Sequence, residues 1–464
     1  MIKRILCSLL PLLTMLASVV RAAPAPAKML VISPRSFQEA LEDFVTYKQT
    51  LQPVEWLALE DILQKSSGAD DPEKLKRFLY EQWRQHRIGC ALLAGDVDVF
   101  PVRYMVLDRK TPAAFDYAFY PSDLYYADLA KPDGSFDDWN AQKDSFHAGY
   151  FGEVRGEAIK SDPINYDQVD YLPEIAVGRW PVSTPEELRT VAAKSMAYEK
   201  AVLAGGDPNL RRAGFFAVGG WVDSRGLLGD LAKKLETNWK IEKRFYSSGT
   251  PPPDHDQVRA FLNDGAGLMV HAGHGQPNEW ERCFSTADLA ALTNTGSIPI
   301  IISAGCSTAH FAPLPPYERY LDRDGNEHRG TDRKEKFAAP PPPPSPYQTG
   351  KCNPACLGEA VLKRAGAGGV AYIGCNTGSQ PFGLTLVDGF LSELARAKEP
   401  RLGDCWNAAI RYYFDQQKLR ELKPTESWVP PSIFFQGMKF MVFGDPSLRL
   451  PSNIKEDEPG ATVQ

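Results

Sequence analysis

The chain has 464 residues, 43% of them apolar and 24% charged, which is material for one to three packed units with a sizeable core. Its formal charge is −6 and it has no long basic run, so nucleic acid is a poor fit as a partner.

The first residues point to export. Lys3 and Arg4 precede an apolar run from Ile5 to Val20, and small residues follow at Ala22, Ala23 and Ala25. This is the pattern of a signal peptide over residues 1–25. The run is short of the roughly 20 residues a spanning helix needs, so no stable membrane insertion is expected after cleavage, and the protein is expected to be secreted, periplasmic or at the cell surface. Losing Lys3, Arg4 and Arg21 with the leader, which holds no acid, takes the charge from −6 to −9. Seven cysteines then remain, and in an oxidising compartment an odd count leaves at least one thiol unpaired.

From Met29 onward, short β-rich runs alternate with amphipathic helical patterns. The spacing predicts strands at 30–33, 54–59 and 91–94, with helices at 37–50 and 72–87 between them, the signature of βαβ units around a parallel sheet. The stretch from Tyr104 to Tyr171 shows little periodicity and reads as mostly surface excursion, with Pro121-Ser-Asp-Leu-Tyr125 as an ordered loop. A strand at 174–178 and a helix starting at Thr184 close a first unit, 26–205. Thr184 with Glu187 three residues on, and Pro185 between them, is a capping pattern. A second βαβ series follows in 206–452, with strands at 214–218, 241–246, 267–270, 298–302 and 369–373. Within it, residues 312–351 break into charges and then Pro340–Pro344 with Pro346, which reads as an exposed proline-rich insertion. Residues 453–464 read as a disordered tail.

Ligand and catalytic groups of open parallel sheets collect beyond the carboxyl ends of the strands. Two such ends carry reactive side chains: Val270-His-Ala-Gly-His-Gly275 and Ile302-Ser-Ala-Gly-Cys-Ser307. If the two strands are neighbours, His274 and Cys306 face each other. An imidazole beside a thiol raises its ionised fraction and can protonate a leaving amine. Gly275, without a Cβ, lets its backbone N–H approach a developing oxyanion. Taken singly, a histidine at a strand end is usually structural and a lone cysteine is usually a small hydrophobe. Their pairing in Gly-rich turns about 30 residues apart is what favours chemistry. A metal site using His271, His274 and Cys306 or His310 is the competing reading, resting on a weakly specific His-x-x-His spacing, and His271 reads more naturally as structural. Cys352 and Cys356 suit half of a disulfide set as well as a metal pair.

These motifs sit in a pattern that resembles gingipains, cysteine peptidases of the caspase-like clan. Leu92-Leu-Ala-Gly-Asp-Val-Asp98, Pro121–Tyr125 and Glu174-Ile-Ala-Val-Gly-Arg179 are similar to segments of the family's first subdomain. His271-Ala-Gly-His-Gly275, Ile298–Ile301, Gly305-Cys306, Leu357-Gly-Glu-Ala360 and Val442-Phe-Gly-Asp-Pro-Ser-Leu448 are similar to segments of its second. The resemblance runs from about Lys28 to Leu450. It implies an α/β, caspase-like fold of two consecutive subdomains with mostly parallel sheets flanked by helices. It also implies a catalytic pair of His274 and Cys306, an oxyanion hole of Gly275 with the Cys306 amide, and protein or peptide substrates. No cofactor is required, although structural calcium is compatible with the resemblance. Gingipains carry acids that support the histidine and the P1 pocket in the loop after the 214–218 strand. That loop here reads Gly219-Gly-Trp-Val-Asp-Ser224, leaving Asp223 as a candidate for a basic-residue pocket. The expected function is an exported cysteine endopeptidase. A sortase-like transpeptidase with the same dyad, or a binding protein with an idle thiol, are the alternatives.

Overall fold

The structure is a computed structural model that describes residues 27–454 apart from 111–116, 141–148, 248 and 332–340. The expected leader, and the tail beyond Ile454, lie outside the described residues. Among the described residues, no helix is long and apolar enough to cross a membrane.

The apolar runs become ten strands of one sheet: β1 (Lys28–Ser33), β2 (Val54–Ala58), β3 (Ile88–Ala94), β4 (Ala176–Trp180), β5 (Arg212–Ala217), β6 (Lys240–Phe245), β7 (Leu268–Ala272), β8 (Ile300–Ser303), β9 (Ala371–Cys375) and β10 (Phe440–Phe443). Their order is β2-β1-β3-β4-β10-β9-β8-β7-β5-β6. Residues before 206 thus supply one half of the sheet and residues after it supply the other. All neighbouring pairs are parallel except β9 with β10, and β10 joins the halves by pairing Phe443 with Arg179 of β4. Every residue of β7, β8 and β9 is buried, as continuous apolar runs covered on both faces should be. The sheet is the caspase-like α/β architecture expected, with a large, mostly parallel sheet flanked by helices.

Local chemistry fixes the main helices. In α1 (Gln38–Gln49) the buried positions are Ala40, Leu41, Phe44 and Lys48, a helical stripe facing the sheet. The start of α2 (Asp71–His86) is capped by Asp70, whose carboxylate accepts the Glu73 N–H, and α2 ends on Arg87 at φ 52°. In α3 (Pro185–Ala204), the Thr184 hydroxyl accepts the Glu187 N–H while Glu187 accepts the Ser183 N–H.

Two readings of the sequence are corrected. The stretch from Tyr104 to Tyr171 is not a surface excursion in its described residues. It forms a hairpin, Tyr104–Asp108 with Tyr117–Pro121, and buries Tyr125, Tyr126 and Trp139 completely. Aromatic rings rather than periodic aliphatics supply its core: Trp139 meets Tyr125 and Tyr171 edge-on at 5.1 and 4.9 Å, and the Lys76 ammonium lies 4.3 Å from the Tyr125 ring. Nor is the 312–351 insertion simply exposed. Its described segments bury Ala312, Tyr320 and Gln348, and the proline carbonyls serve as acceptors: Pro346 for the Val102 N–H, Pro343 for the Arg323 N–H and Pro342 for the Tyr320 hydroxyl. Polyproline chain has free carbonyls all along its length, which makes it easy to bind down without strand pairing.

Behind the β4–β10 junction the Lys48 ammonium of α1 is held by Glu199 of α3 at 2.8 Å and by Asp445, just past β10, at 3.0 Å, all three side chains being almost fully buried. Removing this cation leaves two carboxylates without their shared partner in a buried site. Lys48→Met is expected to lower the unfolding free energy by about 3–5 kcal/mol in a urea titration. A change below about 1 kcal/mol would mean that the triad is not what couples these elements.

Candidate active site

Strand β8 lies between β7 and β9, and its register with β7 pairs Ile302 with Val270 and Ser303 with His271. His274 and Cys306 are each three residues beyond that last pair, so the two turns leave the sheet side by side. Hydrogen bonds continue the pairing past the strands, from the Ala304 N–H to the His271 carbonyl. On the far side of β7 is β5, and the Val218 N–H donates to the Ala272 carbonyl while the His274 N–H donates to the Gly219 carbonyl at 2.9 Å. On the far side of β8 is β9, after which the Thr377 carbonyl accepts the Ser307 N–H at 2.8 Å. Four adjacent strand ends therefore build one site.

Close backbone approach is possible there because the turns are glycine. Gly273 has φ 141°, and a Cβ on it would lie 2.3 Å from Val218 Cγ2. A Cβ on Gly275 would meet the Cys306 carbonyl oxygen at 2.7 Å and the Cys306 nitrogen at 3.1 Å. Gly275 and Cys306 backbones are thus in contact across the two turns. Just after the cysteine, Ser307 adopts φ 58°, a left-handed conformation costly for a residue with a Cβ, held by its bond to Thr377.

His274 and Cys306 line a common cavity that opens to solvent. The Cys306 sulfur is flanked by Ser379, whose N–H donates to Sγ at 3.3 Å and whose carbonyl lies at 3.6 Å. Among the described residues, no carboxylate hydrogen-bonds the His274 ring. All seven described cysteines are free; Cys306 is partly exposed and the other six are buried. Burial pushes the thiols of Cys90 and Cys375 up to about 12. Cys356 instead begins the helix Leu357–Lys363, in a capping box with Glu359.

The remaining candidates separate from the site. His271 is fully buried, stacked on Trp280 at 4.5 Å between ring centres, with Nδ1 2.9 Å from the Ser303 hydroxyl. Burial, then the nearby His274, pushes its pKa down to about 3, so it is a neutral structural ring. His310 pairs with Glu318 at 3.0 Å. Among the described residues, no three His, Cys, Asp or Glu side chains gather to hold a metal, and the metal reading of His271, His274, Cys306 and His310 has no ligand set. Asp223 is not on the wall of the cavity; it points to solvent, in an ion pair with Arg225 at 2.6 Å that depresses its pKa to about 2. A salt bridge two residues away uses the carboxylate expected for a basic-residue pocket. Sequence reasoning passed over Trp221 and Ser379, which line the cavity. For Trp221 a signal existed, an aromatic in a loop directly after a strand end.

The profile of peptidase family C25 matches residues 22–451, and the chain belongs to that family. Gingipain-type enzymes are the relatives found: Lys-gingipain of Porphyromonas gingivalis is 22% identical over 308 residues, covering 64% of this chain, and gingipain R2 of the same organism is 23% identical over 299 residues, covering 61%. The matched region is 15% of the length of that Lys-gingipain and 32% of that gingipain R2. Among solved structures, the Arg-specific cysteine proteinase gingipain R superposes with a TM-score of 0.59 at 17% identity, over 91% of this chain and 78% of that one. The complex of the P. gingivalis RgpB pro- and mature domains gives 0.58 at 19%, over 91% and 80%. The likeness establishes a shared fold and a cysteine peptidase family.

Because the folded His271 titrates near 3 and an unfolded histidine near ~6.5, the unfolded chain takes up a proton between these values that the folded chain refuses. The stabilisation is complete above ~6.5 and is lost as pH falls toward 3, at about 1.4 kcal/mol per pH unit. His271→Phe should show a shallower decline of unfolding free energy between pH 6 and 4 than the parent; parallel declines would remove His271 as a source of acid lability.

Proposed function

We propose that the protein is an exported cysteine endopeptidase in which Cys306 is the nucleophile and His274 its acid/base partner. The observation that carries this reading is the placement of both side chains on one cavity, three residues past a register pair of neighbouring parallel strands. The Cys306 thiol gives its proton to His274 and the sulfur attacks the scissile carbonyl carbon. His274 then protonates the departing amine, leaving a thioester that water hydrolyses. The contacting backbones of Gly275 and Cys306 support their amides as donors to the oxyanion, each such donor being worth roughly 3–4 kcal/mol in the transition state. Burial of the six other described thiols leaves Cys306 as the accessible one among the described residues. Protein or peptide substrates follow from the peptidase family, and export from the Lys3-Arg4 and Ile5–Val20 pattern.

Low concentrations of iodoacetamide should label the mature protein at Cys306, and Cys306→Ala should lose both label and peptide hydrolysis. His274→Ala should cut kcat/KM by about 10²–10⁴. Hydrolysis that survives in Cys306→Ala would refute the assignment. Accumulation of amide product when an amine is added would instead identify a transpeptidase.

A further inference from the structure

The walls of the cavity beside Cys306 have a composition that bond cleavage alone does not require. Ala272, Ala304, Val222, Trp221, Pro381 and Leu384 form its apolar lining. The polar side chains among them, those of Ser224, Ser379 and Gln380, are uncharged, and among the described residues that line it the titratable groups are His274 and Cys306 themselves. Asp223 is turned away and neutralised by Arg225. Trp221 is 71% exposed at the rim and also borders a second cavity, whose lining adds Trp428 and Phe435 and the charged Arg109, Glu157 and Lys439, so that the carboxylate there stands beside two cations. Val222, Leu227 and Tyr246 are likewise exposed near this edge of the sheet.

Resting on the peptidase reading, we propose that this cavity receives the side chain on the acyl side of the scissile bond, that it selects uncharged aliphatic side chains of the size of Leu or Met, and that Trp221 is its specificity-determining wall. The acyl-side residue is the one whose Cα is bonded to the attacked carbon, so its side chain falls into the space that Cys306 itself borders. An aliphatic group removes its own surface and that of an exposed indole from water. A guanidinium or ammonium entering the same space sheds its hydration and meets no carboxylate. Only the indole face offers it anything, and an exposed cation–π contact is a weak substitute.

The full mature chain is assayed on a peptide series that differs only at the acyl-side residue. Leu and Met are expected to exceed Arg and Lys in kcat/KM by at least about tenfold. Trp221→Ala should lower kcat/KM for the Leu peptide several-fold, chiefly through KM, while changing the Arg peptide less. Val222→Asp, at a half-exposed wall position where a charge is tolerated, should move the Arg-to-Leu ratio upward by about threefold. In parallel, peptidyl acyloxymethyl ketones ending in Leu or in Arg are incubated with the protein and the mass of the Cys306 peptide is read. An adduct with the Leu reagent and little with the Arg reagent supports the pocket. Preference for Arg or Lys in either assay overturns the pocket while leaving the peptidase intact. If no peptide is cleaved and neither reagent modifies Cys306, the peptidase reading falls and the pocket assignment with it.

Discussion

The register between β7 and β8 is the constraint from which the site follows. Parallel pairing of His271 with Ser303 means that two chain segments 32 residues apart leave the sheet at the same level. A slip of one residue would carry Cys306 to the other side of its turn and point every core residue of β8 to the opposite face. Burial of Ile300, Ile301 and Ile302 on both faces holds that register, and His271, stacked on Trp280 and bonded to Ser303, bolts the two strands together just below the turns. The buried histidine thus has a structural task, beside the partly exposed His274.

The rest of the molecule supports the loops on either side. Arg179, fully buried in β4, forms a two-pronged bond with Asp123 and donates to the Gly95 and Pro101 carbonyls. That arrangement orders Pro121–Tyr125, which reads as a loop in the sequence but is the end of the strand Tyr117–Pro121 and the start of the short helix Leu124–Ala127, with Ser122 and Asp123 between them. From the same segment the Pro121 carbonyl accepts a hydrogen bond from the Asn376 side chain at 2.6 Å, next to Thr377 and three residues short of Ser379. The half of the sheet that carries no reactive side chain therefore steadies the loop that touches the Cys306 sulfur. Such a chain of buried polar contacts is worth keeping only when fully paired.

The fold persists where the sequence does not. A superposition with gingipain R over 91% of the chain at 17% identity shows that very different sequences can build the same sheet. The walls of the cavity come from loops after the strands, and loops vary without disturbing the sheet. Glycines at 219 and 220 and an indole at 221 stand where a different loop would present other chemistry.

Much of this was legible in advance because it is local. Apolar runs of four to six residues, the Thr184–Glu187 cap and the glycines around His274 and Cys306 are written in short stretches of chain, and β1 to β9 fall within a few residues of where periodicity puts them. What stayed hidden depends on partners far away. Phe440–Phe443 shows no alternation, being buried on both faces, and its place as the antiparallel join between two parallel halves comes from its neighbours. The aromatic packing of 104–171 has no period to read, and the proline tract is bound through carbonyls that every residue possesses. Asp223 is an acid in the right loop, yet Arg225 takes its carboxylate and turns it to solvent. The amino-acid sequence determined which side chains could react and which runs would form strands; the tertiary structure decided which of them meet, because register, burial and ion-pair choice are settled only between segments distant in the chain.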